Sequence, residues 1–230
     1  VAQDAVGKTR RQIVGERRWP MVMAVVVAMV MHQLLPADFR LAPLWIYPVV
    51  MSVFLVLLVA GDPGLIDTEK RWLRLVTGLL IALMALTNLL SAIRLVEGIF
   101  DDAAFAQNGY QLLGIGGAIW ATNVIAFGLW YWDVDGGGSV QRATNGAWAD
   151  PAFVFPEMNL PELKPGWFPQ FPDYLALSFN TATAFSPTDV SAIKRWGKTI
   201  MILESSSSLV LATLVISSAI NNIGTGPVGG

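Results

Sequence analysis

Long apolar runs nearly free of charge decide what this chain can fold into. Five of them can be marked off, at about 19–35, 43–60, 72–96, 110–132 and 196–222. A helix needs about 20 predominantly apolar residues to cross roughly 30 Å of hydrocarbon, and each run approaches or reaches that length. Composition agrees: 54% of the residues are hydrophobic and 14% charged, where soluble domains carry about 25% charged residues. The expected fold is an all-α membrane protein with about five transmembrane helices, plus a short half-polar helix before the last of them. The first run follows a polar, basic segment without a small-residue cleavage site, and reads as retained rather than removed.

Breakers divide the chain into four regions. Residues 1–18 form a polar, basic N-terminal segment, read as a mobile tail or a surface helix. Residues 19–109 hold three helices. The turn PADFRLA folds the first two into an antiparallel hairpin, and GDPGLIDTEKR separates the second from the third. Residues 110–222 hold the remaining elements, and 223–230 a Gly-rich tail. Within the third region, prolines at 151, 156, 161, 165, 169 and 172 forbid a long helix. The connector is also rich in aromatics (Trp148, Phe153, Phe155, Trp167, Phe168, Phe171), unlike a disordered linker. It is expected to be ordered against the bilayer interface, where Trp rings bury while their N–H groups stay wet.

Basic residues are one-sided. Five lie in the N-terminal segment, three around Lys70, and five between Arg142 and Lys198, leaving only Arg40 and Arg94 elsewhere. Five spans with a cytoplasmic N-terminus put nearly all of them on the inner side. No basic stripe marks a nucleic-acid surface, so the expected partners are the lipid bilayer and either further copies of the chain or other subunits of a membrane complex.

Several chemistries fall away. With no cysteine there is no disulfide, thiolate metal site or cysteine nucleophile. His32 is the single histidine, which excludes a triad, a two-histidine metal site and a bis-histidine haem. No cofactor is expected, although axial ligation of one pigment or haem by His32 stays open beside the plainer reading of a polar residue at the end of the first span. GGG at 136–138 is no phosphate loop, because no strand leads in and no G-K-[ST] follows. No acid-base constellation of an enzyme is visible.

Polar residues inside the runs are the candidate sites. Arg94 and Glu204 interrupt apolar sequence most plainly, and each is costly unless it faces protein, water or a partner. They can pair with each other, or Arg94 can reach Glu97 or Asp101 from the end of its span. Glu204 begins a helically spaced stripe through Ser207, Ser208, Leu211, Val215, Ser218 and Asn222. Such a face lines water or bonds neighbouring helices, and Thr87, Asn88, Ser91 and Asn123 carry the same two readings. Gly114, Gly117, Ala118 and Ala121 form a small-residue seam expected to pack tightly.

The stretch SFNTATAFSPTDVSAIKRWGK, from Ser178, resembles the pore helix, filter and inner-helix start of potassium-channel pore modules. Thr181, Ala182, Thr183, Asp189 and Trp196-Gly197-Lys198 fall at matching positions without a gap. The resemblance covers about residues 110–222 and implies a pore helix from about Asp173 to Phe185 that enters and leaves on one side, with Thr188 or Asp189 capping the approach to the last span. The whole chain also resembles a family of bacterial integral membrane proteins, through GERRWP, TNVIAFGLWYW and NTATAFSPTD. That resemblance implies a multi-pass protein of the bacterial inner membrane and brings no established activity.

The filter departs from the pattern at its centre. Where potassium channels have Gly-Tyr-Gly, this chain has Ser186-Pro187-Thr188. A filter presents consecutive backbone carbonyls to the ion, whereas Pro187 fixes φ and Thr188 is β-branched. Potassium selectivity is not expected; hydroxyls of Thr181, Thr183, Ser186 and Thr188 would line a different path or cap helix ends. The charge bias also puts this loop on the cytoplasmic side, as in glutamate-receptor pores. Two functions follow as expectations: conduction of an ion or small solute, with Glu204 contributing to the path, or a non-conducting accessory subunit of a larger membrane complex.

Overall fold

The computed structural model of the chain describes residues 15–63, 65–66, 70–101, 109–145, 150–183 and 189–223. They form seven α-helices: α1 (Trp19–Gln33), α2 (Ile46–Gly61), α3 (Arg71–Asp101), α4 (Gly109–Val134), α5 (Ser139–Asn145), α6 (Phe171–Thr183) and α7 (Arg195–Ile223). Four two-residue strands join them in two antiparallel pairs, β1 (Glu16–Arg17) with β2 (Leu65–Ile66) and β3 (Phe153–Val154) with β4 (Ser191–Ala192). Three helices, α3, α4 and α7, are long and apolar enough to cross a membrane, which supports a membrane protein. The helices α1 and α2, with 15 and 16 residues, measure only about 22–24 Å at 1.5 Å per residue. They fall short of the hydrocarbon thickness because Leu34 closes α1 and a 3₁₀ turn follows Pro36.

Neighbouring helices run antiparallel. Arg18 at the start of α1 pairs with Asp62 at the end of α2, while His32 stacks on Tyr47 at their other ends. Gly61 lies against Trp72 and Leu73, which brings the end of α2 to the start of α3. Asn88 of α3 bonds Asn123 of α4. The helix α4 is the centre: 61% of its apolar window is buried against protein, compared with 39% for α3 and 22% for α7.

Both α6 and α7 run antiparallel to α4 and so parallel to each other. Gly128 faces Leu175, and Ser178 reaches the Val124 carbonyl; Asn123 meets Ser208, and Gly116 meets Val215. The expected seam holds in part: Ala118 is buried against the core, but the glycines that pack are others. Gly114 and Gly117 have open space where a Cβ would stand, whereas Gly116 has the Val215 methyls 2.7 Å away and Gly128 has the Leu175 Cα at 3.2 Å. Helix rotation decides which glycines face a neighbour, and spacing alone leaves that choice open.

Among the described residues the connector is ordered, as expected, and part of it packs into the core. Phe153, Phe155 and Phe171 are fully buried in the main apolar core. Phe153 meets Tyr131 and Trp196 edge-on, at 5.1 and 6.0 Å between ring centroids. Asp189 is exposed and caps nothing at α7, because strand β4 and a turn intervene before Arg195.

Candidate functional site

Two polar clusters are built into the apolar core, on successive residues of α4. Tyr131 faces one and Trp132 the other.

The first surrounds Glu204, which is fully buried on α7 together with Ser208. The expected stripe is there, but it turns inward: Glu204, Ser208, Leu211, Val215 and Ala219 are its buried positions, spaced by three or four residues. Tyr131 donates its hydroxyl to one Glu204 oxygen, and Ser178 of α6 contacts the other. Ser178 Oγ also lies 2.7 Å from the Val124 carbonyl. A serine hydroxyl has one hydrogen, and a carbonyl can only accept. All three contacts are satisfied at once only when the Glu204 carboxyl carries a proton and donates it to Ser178, which then donates to Val124. The surroundings thus match a neutral acid, the form that a water-free interior tolerates.

One turn further, Asn123 donates to Ser208 at 3.1 Å and Ser207 at 3.4 Å, and accepts from Asn88 at 3.2 Å. Asn88, Asn123 and Ser207 border a lateral cavity of about 230 Å³ between α3, α4 and α7, which is otherwise apolar. Polar residues of three helices therefore join into one chain of hydrogen bonds across the bundle.

The remaining intramembrane candidates lie apart. Arg94 does not meet Glu204; it donates to the backbone carbonyls of Asp38 and Arg40, in the turn between α1 and α2. A cation at a turn rich in free carbonyls finds acceptors without crossing the bilayer. Thr87 and Thr181 donate to carbonyls of their own helices, Thr183 to that of Asn180, and Ser91 to the Phe39 carbonyl. Ser186, Pro187 and Thr188 lie outside the described residues. His32 is buried with its ring 4.0 Å from that of Tyr47 between centroids. Among the described residues no three His, Asp or Glu side chains converge as a metal site would need.

Comparison with protein-family models, curated proteins and solved structures finds no match. The site is therefore read from its own geometry.

The second cluster was not expected from sequence. Glu16, placed in the N-terminal segment, is buried on β1. It accepts from the Trp132 indole at 2.7 Å and from the Phe171 backbone N–H at 2.5 Å. Phe171 opens α6, so the carboxylate satisfies an orphan donor at the positive end of that helix. Arg142 of α5, 1% exposed, makes the opposite contact: it donates to the carbonyls of Trp132 and Asp135 at 2.8 and 2.5 Å, at the end of α4. Its other amino group is 4.0 Å from Glu16, and its guanidinium covers the Tyr174 ring at 4.9 Å. Asp135 accepts from Ala152 N and Tyr174 Oη, both at 2.5 Å.

Burial pushes the Glu16 carboxyl above its ordinary value, while Trp132, Phe171 and Arg142 pull it back. The sequence signal available for this cluster was Asp135-Gly-Gly-Gly. Its glycines take φ of 56°, 79° and 100°, which lets the chain reverse within three residues and bring Arg142 back onto the end of α4.

Proposed function

We propose that this chain is a non-conducting structural subunit of a membrane assembly, in which α6 is a re-entrant half-helix used for packing. The observation that carries this reading is where the polar groups point. Glu204 and Ser208 are wholly buried within one chain, and the hydroxyls of Thr181 and Thr183 are taken by their own helix. The outward positions of α7 are mostly apolar, including Ile202, Leu203, Leu209, Val210, Ile216 and Ile220, with Ser206, Ser207 and Ser217 among the exposed hydroxyls between them. A conduction path would need polar groups that face an axis between subunits; here they hold α4, α6 and α7 together.

The topology that goes with this reading has five crossings, the short α1 and α2 being accommodated by local thinning of the bilayer. Arg17, Arg18, Lys70, Arg74, Arg142 and Arg195 gather where α1, α3, α5 and α7 begin, which makes that end cytoplasmic by the positive-inside rule.

A second reading is favoured by one observation. The order α4, α6, α7, with both later helices antiparallel to the first, is the order of a pore module, so a homo-oligomer could still conduct an ion or small solute with altered selectivity. Reconstitution of the full chain in liposomes separates the two. The structural reading expects ion flux no greater than in empty vesicles and co-purification with other membrane subunits after mild extraction. A conductance that Glu204→Gln abolishes would overturn it in favour of the pore.

A further inference from the structure

At the basic end of the bundle lies a further cavity, of about 70 Å³, that shares Trp132 with the Glu16 cluster. It is bounded by the starts of α1, α3 and α5 and by the ends of α2 and α4. Among the described residues its charged lining is Arg18, Lys70, Arg74, Asp62 and Asp133. Within that set, three cations stand against two carboxylates. The distribution matters more than the sum. Asp62 is consumed by the buried ion pair with Arg18, at 3.0 Å. Among the described residues Lys70 donates to a neutral acceptor, the Gly61 carbonyl at 2.8 Å, and pairs with no carboxylate. Arg74, one turn on, is exposed beside it and is held toward the cavity by the charge of Asp133. The floor is apolar and aromatic, with Ile66, Leu73 and Trp132.

The level of the cavity along the bundle identifies what reaches it. Trp19 and Trp72, which flank Arg18 and Lys70 on α1 and α3, are 60% and 44% exposed, and Trp130 on α4 is 36% exposed. Trp45, 65% exposed, stands at the opposite end, at the start of α2, and tryptophans at both ends of a set of apolar helices mark the two headgroup levels of a bilayer. Phosphate groups of lipids occupy that level, and anionic lipids are drawn to basic clusters there.

We infer that this cavity binds the phosphate group of an anionic phospholipid, with Lys70 and Arg74 at its mouth as the charged contacts and the Leu73 and Trp132 side of the cavity against the glycerol backbone. The space is sufficient, since a buried water needs about 10–15 Å³ of such volume and the cavity has several times that. The inference rests on the membrane reading alone and holds whether the chain conducts or not.

The test uses the full chain purified in mild detergent. Lipid retention is measured by native mass spectrometry after exposure to phosphatidylglycerol, to phosphatidylcholine, and to inorganic phosphate alone. Phosphatidylglycerol should be retained selectively over phosphatidylcholine. Arg74→Gln should lower its retention about fivefold, the effect of one basic residue near a charged surface, and Lys70→Gln with Arg74→Gln should lower it further, both at wild-type helix content. Equal retention of the two lipids by the wild-type protein overturns the site without recourse to any variant. Unchanged retention in the folded double variant does the same. Saturable binding of inorganic phosphate with no preference between the lipids overturns the lipid as the source.

Discussion

Glu16 and Glu204 are both fully buried glutamates, yet their surroundings differ in kind. Glu16 is met only by donors: an indole N–H, a backbone N–H and a guanidinium. Glu204 is met by two hydroxyls, one of which already has its hydrogen directed to a carbonyl. The donors of the first environment offset part of the cost of burying a carboxyl, and the second suits a neutral acid. The position of each residue explains the difference. Glu16 lies at the end of the bundle, where helix termini supply free N–H and C=O groups. Glu204 lies within a helix whose backbone is already bonded, so only side chains can answer it.

The largest expected effect comes from the charged cluster. Arg142→Ala leaves Glu16 without its counterion and strips the donor from the carbonyls of Trp132 and Asp135. Loss of one partner from a buried pair costs about 3–5 kcal/mol, read as a lowered midpoint of unfolding in mixed micelles. Wild-type stability in this variant would refute the role given to the cluster.

At the second glutamate, the choice of substitution is the test. Glu204→Leu strands the hydroxyl of Tyr131 in an apolar interior and is expected to cost about 1–3 kcal/mol. Glu204→Gln keeps one donor and one acceptor, as the neutral acid does, and should stay within about 1 kcal/mol of wild type by the same measure. A glutamine variant as damaged as the leucine variant would show that a charge, not a neutral acid, occupies the site.

The smallest effect is in the pH dependence of Glu16. Its folded carboxyl titrates above the ordinary value of 4.5, so its contribution to stability is fully present below that value and is lost as pH rises through the raised one. Wild type should therefore lose stability relative to Glu16→Gln as pH rises above 4.5, by at most about 1.4 kcal/mol per pH unit. A difference between the two proteins that does not change with pH would contradict this sign.

Periodic apolar sequence was enough to place the helices, because hydrophobic length is a property of the chain itself. The expected runs at 72–96, 110–132 and 196–222 agree with α3, α4 and α7 to within a few residues, save that α3 continues to Asp101. The 13-residue helix α6 begins two residues before the expected Asp173, since the Asp173 carboxylate accepts from Gln170 N and fixes the first turn. The polar stripe on α7 was equally legible, but its direction was not. A stripe looks the same in sequence whether it faces water, another copy or the next helix, and only the antiparallel packing of α4 and α7 turned Glu204 and Ser208 inward.

The same division holds for the charges. Sequence alone determined that this is an all-α protein with long apolar helices, and that its basic residues collect between those helices at alternate turns. Tertiary structure decided which of those charges are surface and which are core. Glu16 and Arg142 are 126 positions apart in the numbering and read as solvated residues of a tail and a loop. They become buried partners because the end of α4 and the start of α6 expose complementary backbone groups at one place, and no property of either residue's sequence neighbours specifies that meeting.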